Sequence, residues 1–166
     1  VETQYLNHTA PTIAYRISAV GATMAYVTDH EPFWYSPGAP MQHPGDQRHV
    51  EFLRGVDLVI HDAQYTSEEY LSKSGWGHSP ADYVTHVALS GGVARLALFH
   101  HDPTHDDDAI KRIEETQRAR ASAAGSSLEV FAAAEGMAFQ VVGKGWGKTS
   151  VDLSALEQRP IAGGRI

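Results

Sequence analysis

The sequence predicts an α/β fold on two observations. The spacing of apolar residues alternates along the chain between a period of two, typical of strands, and a period of about 3.6, typical of helices. In addition, His and Asp residues follow short apolar runs, as in Ile60-His61-Asp62 and Phe99-His100-His101. Because α/β proteins place functional side chains where strands end, we expect the functional site to draw on residues 59–105.

Composition sets the limits on domain number and partners. With 166 residues and 42% hydrophobic content, the chain is long enough for one core and too short for two comfortable domains. The net charge of -7, with only 13 scattered Lys and Arg residues, argues against a general nucleic-acid surface. Cysteine is absent, which excludes disulfides and Cys-ligated metals. No apolar run approaches the ~20 residues of a membrane span and no signal peptide is recognised, so we expect a soluble, cytoplasmic protein without membrane contact.

The first predicted elements are a β-hairpin and a long loop. Ile13, Tyr15 and Ile17 alternate with small or polar residues, which favours strands over 11–18 and 22–28 around a turn at Val20-Gly21. The following segment, 31–46, contains four prolines, and this density excludes regular structure.

Helices and strands alternate over the rest of the chain. The predicted order is a helix over 47–54, a strand over 56–61, a helical turn over 67–71, a helix ending near Gly91, a strand over 95–99, a helix over 106–123, and strands over 128–132 and 137–142. Ser79 and Pro80 are predicted as N-cap and first residue of the third helix. Residues 106–108 are acidic, which suits the start of the next helix. We expect one domain over 1–142 and a Gly-rich, polar terminal extension over 143–166.

Several candidate metal ligands lie at predicted strand ends. Asp29 and Asp62 end two apolar strands, His100 ends a third, and His8 precedes the first. A single His beside a carboxylate is more often a solvated or capping residue. Imidazoles and carboxylates that come from several strand ends, however, are the ligand set of catalytic Zn, Mn or Fe sites.

The order of these segments resembles the metallo-β-lactamase superfamily, in its phosphodiesterase branch with ribonuclease Z and the cyclic-phosphate phosphodiesterases. Leu6-Asn7-His8 resembles the segment that carries a metal-binding His. Tyr26-Val27-Thr28-Asp29 resembles the strand that ends in the metal-bridging Asp, and Leu98-Phe99-His100 the strand that ends in the last metal-binding His. His61-Asp62-Ala63-Gln64-Tyr65 and Gly77-His78-Ser79 are similar to two ribonuclease Z segments, the second of which carries a catalytic His-Ser motif.

The family signature H-x-H-x-D-H occurs nowhere in the sequence. The resemblance therefore implies the C-terminal half of a metallo-β-lactamase-type αββα sandwich. Three origins stay open: the N-terminal half has been removed, it lies in another polypeptide, or the chain is a natural half that has lost turnover.

For the complete enzyme the resemblance implies two divalent metal ions, Zn²⁺ first and Mn²⁺ or Fe as alternatives. Asp29 would bridge them, with His8 on one ion and His100 on the other. His78 would donate a proton or a hydrogen bond to the departing oxygen, and Asp62 would orient it. His101 is the alternative to His100 as ligand.

Two functions are therefore compatible with the sequence. The first is part of a metal-dependent phosphodiesterase that acts on a small phosphodiester or nucleotide through a metal-activated water, inactive until the N-terminal half is present. The second is a non-catalytic half-fold that serves as a binding or assembly module, with a homo-oligomer as the expected state because its sheet is incomplete. The loop aromatics Phe33, Trp34 and Tyr35 form either a small packed cluster or a substrate platform.

Overall fold

The structure is a computed structural model that describes residues 1–141. In chain order its elements are β1 (Glu2–Tyr5), β2 (Ile13–Ala19), β3 (Ala22–Val27), α1 (Pro44–Phe52), β4 (Leu58–Asp62), α2 (Ser67–Lys73), α3 (Ala81–Gly91), β5 (Arg95–Phe99), α4 (Asp107–Ala123) and β6 (Glu129–Ala132). The predicted α/β class is confirmed. The predicted extension over 143–166 lies outside the described residues.

The strands form one mixed sheet in the order β1-β2-β3-β4-β5-β6. β1, β2 and β3 pair antiparallel, and β3, β4, β5 and β6 pair parallel. The predicted hairpin of β2 and β3 is confirmed, and Val20 and Gly21 at its turn both have positive φ, 50° and 77°. This is the two-residue turn whose twist matches that of the strands. The parallel arrangement brings the carboxyl ends of β3, β4 and β5 to one edge of the sheet.

The helices cover one face of the sheet. Alternate strand residues, among them Val27, Val59 and Leu96, pack with helix residues such as Val84 and Val87 in one buried core. α3 lies between α1 and α4 and contacts both. The buried face explains the sequence pattern: alternate strand residues, and one apolar stripe of each of α1, α3 and α4, point into this core.

The opposite face of the sheet is less well covered. Paired residues form a row across it, in the order Tyr15, Tyr26, Ile60, Ala97 and Phe131. Among residues 1–141, only a small cluster around Leu58, Ala97 and Phe131 is buried there, while Tyr15, Ile17 and Phe99 are 39%, 38% and 39% exposed. We call this surface the open face.

Several predicted boundaries differ from the structure. α1 begins at Pro44 rather than 47, because the His43 side chain accepts a hydrogen bond from the Gly45 amide at 3.0 Å and caps the helix there. Ser79 is not the N-cap of α3. That position is Pro80, which has no side-chain cap, and the Ser79 hydroxyl instead donates to the His30 carbonyl at 2.6 Å.

Two strand predictions also need correction. Residues 137–141, the described part of the predicted strand 137–142, form no strand, and Met137 and Phe139 there are 52% and 45% exposed. β1 was not predicted, since this short strand has mostly exposed side chains and no apolar alternation. By contrast, β5 has the predicted bounds, and α4 has Asp106 as its N-cap. Over residues 1–141 no helix is both long and apolar enough to span a membrane.

Candidate metal centre

Four side chains meet at the carboxyl edge of the parallel strands. Asp29 follows β3, Asp62 ends β4, His100 follows β5, and His78 precedes α3. Each offers one ligand atom, and the four atoms all lie within 4.8 Å of one another. The parallel strands account for this convergence, because strand ends that are far apart in sequence are neighbours at the edge.

Asp62 is the most buried member of the cluster, with no exposed surface. Its Oδ2 accepts hydrogen bonds from the His30 amide at 3.1 Å and from His78 Nδ1 at 2.9 Å. Its Oδ1 is buried without a hydrogen-bond partner, 3.6 Å from His100 Nδ1. Burial raises the pKa of this carboxyl, but the His100 and His78 imidazoles outweigh burial and leave the pKa below its ordinary value.

His100 faces both carboxylates from a strained backbone. Its Nδ1 lies 3.4 Å from Asp29 Oδ1 and 3.6 Å from Asp62 Oδ1, without a hydrogen bond to either. Asp62 and, more weakly, Asp29 raise the pKa of this imidazole above its usual value, against the effect of partial burial. Its φ of 57° is in the left-handed region, which residues other than glycine rarely adopt and which concentrates at functional sites.

His78 contacts the other histidines of the edge. Its Nδ1 donates to Asp62, so Nε2 is the ring nitrogen that remains available for another partner. The His78 ring centroid lies 4.9 Å from that of His100 and 5.4 Å from that of His8. The structure thus brings the predicted pair His78 and Asp62 into direct contact.

His8 lies beside the cluster rather than within the group of four. Its Nδ1 is 3.0 Å from the Gly77 carbonyl oxygen, so this nitrogen donates and Nε2 keeps its lone pair. Gly77 has a φ of 92°, and a Cβ added there would meet His8 Nδ1 at 2.1 Å. Only glycine fits this approach. The part of His8 as a metal ligand stays a prediction.

The donor set is suited to a divalent metal. Carboxylate oxygens and imidazole nitrogens are the ligands that Zn, Mn and Fe share in catalytic sites. Two of the atoms, Asp62 Oδ1 and His100 Nδ1, are buried and have no hydrogen-bond partner. Buried polar atoms without partners are rare, because they lose their hydration and gain no hydrogen bond in exchange. A cation bound between Asp29, Asp62 Oδ1 and His100 Nδ1 would give these two atoms a partner.

Behind the edge lies a second group of histidines that the sequence did not predict as a unit. His30, His49 and His61 are almost fully buried, and the Nε2 atoms of His49 and His61 are 2.9 Å apart. Burial lowers the pKa of His30 to about 3 and that of His61 to about 4. His61 Nδ1 contacts the Asp62 backbone carbonyl at 2.7 Å rather than the cluster.

The loop aromatics are partly packed. Phe33 stacks on His43 with ring centroids 5.1 Å apart, and Tyr35 meets Tyr70 edge to face at 5.3 Å. Trp34 remains 48% exposed. His101, the alternative to His100, is not in the four-residue cluster.

Sequence comparison finds relatives over part of the chain. No family model matches. Ribonuclease Z of Sulfurisphaera tokodaii is 36% identical over 74 residues, which is 42% of this chain and 25% of that protein. Ribonuclease Z of Brevibacillus brevis is 32% identical over 76 residues, or 43% of this chain and 24% of that protein. These matches span about a quarter of the length of the curated relatives.

Comparison with solved structures identifies the fold. The metallo-β-lactamase fold protein YhfI from Bacillus subtilis superposes with a TM-score of 0.60 at 19% identity, over 81% of this chain and 46% of YhfI. The short form of human tRNase Z superposes with a TM-score of 0.56 at 18% identity, over 84% of this chain and 42% of that one. The resemblance to the metallo-β-lactamase superfamily and to ribonuclease Z is confirmed, and the described chain corresponds to about half of that fold.

Proposed function

We propose that this half of a metallo-β-lactamase fold, similar in sequence to ribonuclease Z, provides the C-terminal part of a metal-dependent phosphodiesterase. The observation that carries the proposal is the cluster of Asp29, Asp62, His78 and His100, in which two buried ligand atoms lack partners. The sequence similarity to ribonuclease Z supports a hydrolase that acts on phosphodiesters.

In this proposal Asp29, His100 and His8 hold two divalent ions. Zn²⁺ is the metal we favour, and Mn²⁺ and Fe are the alternatives. Bound ions lower the pKa of a coordinated water and polarise a phosphoryl oxygen. The unpartnered Asp62 Oδ1 is 3.6 Å from His100 Nδ1, so the Asp62 carboxylate contributes negative charge to the same site. Asp29 is part-exposed and opens the site to solvent and substrate.

The proposed proton donor is His78. Asp62 holds its ring through Nδ1 at 2.9 Å, which leaves Nε2 free to face the departing oxygen and deliver the proton. The remaining Asp62 Oδ2 contact, with the His30 amide, keeps the carboxylate from rotating. Orientation and proton transfer are thus divided between two residues in direct contact.

The substrate we propose is a small phosphodiester or nucleotide, because a net charge of -7 with only 13 Lys and Arg residues disfavours binding of a long polyanion. The partner we propose is the N-terminal half of the fold, with the H-x-H-x-D-H segment, in the same gene product or a separate chain. We propose a cytoplasmic location for the assembled enzyme. The second candidate function, a binding or assembly module, is favoured by the open face alone.

The His78→Ala variant of the complete protein, assembled from both halves, tests the proposal. Loss of a general acid should lower the turnover of bis(p-nitrophenyl) phosphate by about 10²- to 10⁴-fold. The metal content, measured by elemental analysis, should stay that of the parent protein. His86→Ala, at an exposed position of α3, is the control and should leave both quantities unchanged.

Two results would contradict this assignment. If His78→Ala removes the metal, His78 is a ligand rather than a proton donor. If it changes neither metal content nor rate, the proposed mechanism fails, and an inactive, metal-free parent protein would favour the assembly module.

A further inference from the structure

Glu31 is a buried carboxylate that the sequence did not single out. It is 8% exposed and accepts three hydrogen bonds. Oε1 accepts from the Tyr70 hydroxyl at 2.8 Å and from the Gly75 amide at 2.6 Å, and Oε2 accepts from the Gly77 amide at 2.8 Å. One side chain therefore binds both ends of the segment 75–77.

No ion pair in the described part of the chain includes Glu31. Its carboxylate is instead stabilised by hydrogen bonds from neutral donors, two of which are backbone amides of the segment 75–77. Hydrogen bonds to a charged group are among the stronger ones in proteins, and a buried carboxylate that loses them is strongly destabilised. The segment 75–77 and the carboxylate thus fix each other.

This segment connects two histidines of the proposed centre. Gly77 immediately precedes His78, and its carbonyl oxygen contacts His8 Nδ1 at 3.0 Å. The backbone of Glu31 acts on the same region, since its amide donates to the Asn7 carbonyl at 2.7 Å, one residue before His8.

We propose that Glu31 is a positioning residue, which sets the rings of His8 and His78 by holding the segment 75–77. It acts through the backbone amides of this segment, and no hydrogen bond or ion pair among the described residues joins its side chain to a proposed metal ligand. The consequence for catalysis rests on the proposed function. The geometric consequence, the placement of His8 and His78, concerns this chain whatever its activity.

Glu31→Gln in the complete protein tests the inference. One oxygen becomes an amide nitrogen that cannot accept, so the Gly75 or the Gly77 amide loses its partner. We expect amide exchange at Gly75 and Gly77 to accelerate by about 10-fold or more, and the ring resonances of His8 and His78 to shift. We also expect kcat for bis(p-nitrophenyl) phosphate to fall by about 10- to 100-fold, the usual effect of losing an outer partner, with KM little changed.

Asp46→Asn is a closely matched control. Asp46 is a buried carboxylate that also accepts two backbone amides and a tyrosine hydroxyl, from Phe33 at 3.0 Å, Trp34 at 3.2 Å and Tyr83 at 2.7 Å. It holds a different loop. We expect Asp46→Asn to destabilise the protein without faster exchange at Gly75 and Gly77.

Unchanged exchange at both glycines and unchanged His8 and His78 resonances in Glu31→Gln would overturn the inference, as would equal changes in Asp46→Asn. If the parent protein has no hydrolytic activity, the proposed function fails and these spectra still decide the part of Glu31. If Glu31→Gln does not fold, Glu31→Asp keeps the charge but is one methylene too short to reach both amides. Faster exchange at Gly75 or Gly77 would then support the inference, and unchanged exchange would overturn it.

Discussion

Burial and neighbouring charges give the histidines of this chain opposite tendencies. At the sheet edge, Asp62 raises the pKa of the His100 imidazole. In the interior, burial and the neighbouring His30 and His61 rings lower the pKa of His49 well below 6.5. Residue type alone therefore does not separate a candidate ligand from a neutral interior residue, since both groups lie near carboxylates in the sequence.

His49 should make the stability of the protein depend on pH. Its folded pKa is depressed, so the unfolded state binds a proton below about pH 6.5 that the folded state does not bind. The stability present above pH 6.5 is therefore lost as the pH falls toward the folded pKa. In that window His49 alone contributes a slope of up to about 1.4 kcal/mol per pH unit.

The variant His49→Gln keeps a polar side chain beside Gln4 and His61 but cannot titrate. We expect its free energy of unfolding to be lower at pH 7.5 and to fall less steeply than that of the parent between pH 6.5 and 5. Urea unfolding at several pH values measures both slopes. Equal slopes in the two proteins would show that His49 takes up its proton in the folded state.

At the residue level the sequence predicted those site residues whose placement follows from strand order. Asp29, Asp62 and His100 lie at the carboxyl ends of consecutive parallel strands, so knowing the strands is enough to bring them together. Glu31 was missed because its partners Gly75 and Gly77 are 44 and 46 residues away. Such contacts depend on how loops close over the sheet edge, which local patterns do not specify.

At the level of elements, the starts of the helices show which local signals suffice. Asp106 caps α4 through a 2.8 Å hydrogen bond from the Ala109 amide, as its acidic first turn suggested. Ser79 has the right residue type one position before Pro80, but its hydroxyl is taken by the His30 carbonyl. A cap is predictable when no long-range acceptor or donor competes for the side chain.

Asp106→Ala should therefore lower the free energy of unfolding by about 1 kcal/mol, the usual cost of losing an N-cap. Asp108→Ala is the matched control, since Asp108 adds charge to the first turn without serving as the cap. We expect the control to cost less than half as much, because a charge near a helix start contributes only about 0.3–1 kcal/mol. Equal losses in urea unfolding would show that charge, rather than the cap hydrogen bond, stabilises the start of α4.

For the whole molecule, the two faces of the sheet differ in what covers them. One carries α1, α3 and α4, whereas on the other the part of the chain that the structure describes buries only a small cluster at one end of the row from Tyr15 to Phe131. The metallo-β-lactamase structures that this chain resembles are about twice as long as the part it matches. Sheets that pack face to face bury such rows against each other, so the open face is where we expect the second half of the fold.

The isolated chain should therefore associate with itself and hold metal weakly. Ile60 lies at the centre of the open-face row, and Ile60→Lys places a charge there, whereas Leu71→Lys places one on α2 at a side chain already 69% exposed. We expect sedimentation to show concentration-dependent association that Ile60→Lys abolishes and Leu71→Lys does not. We also expect Zn²⁺ to dissociate from the chain on dialysis and to be retained once the half with H-x-H-x-D-H is added, because under the proposed function the four-residue cluster is only part of a two-metal site. An isolated chain that stays monomeric and retains stoichiometric Zn²⁺ would mean that the open face needs no partner and that the four-residue cluster is complete.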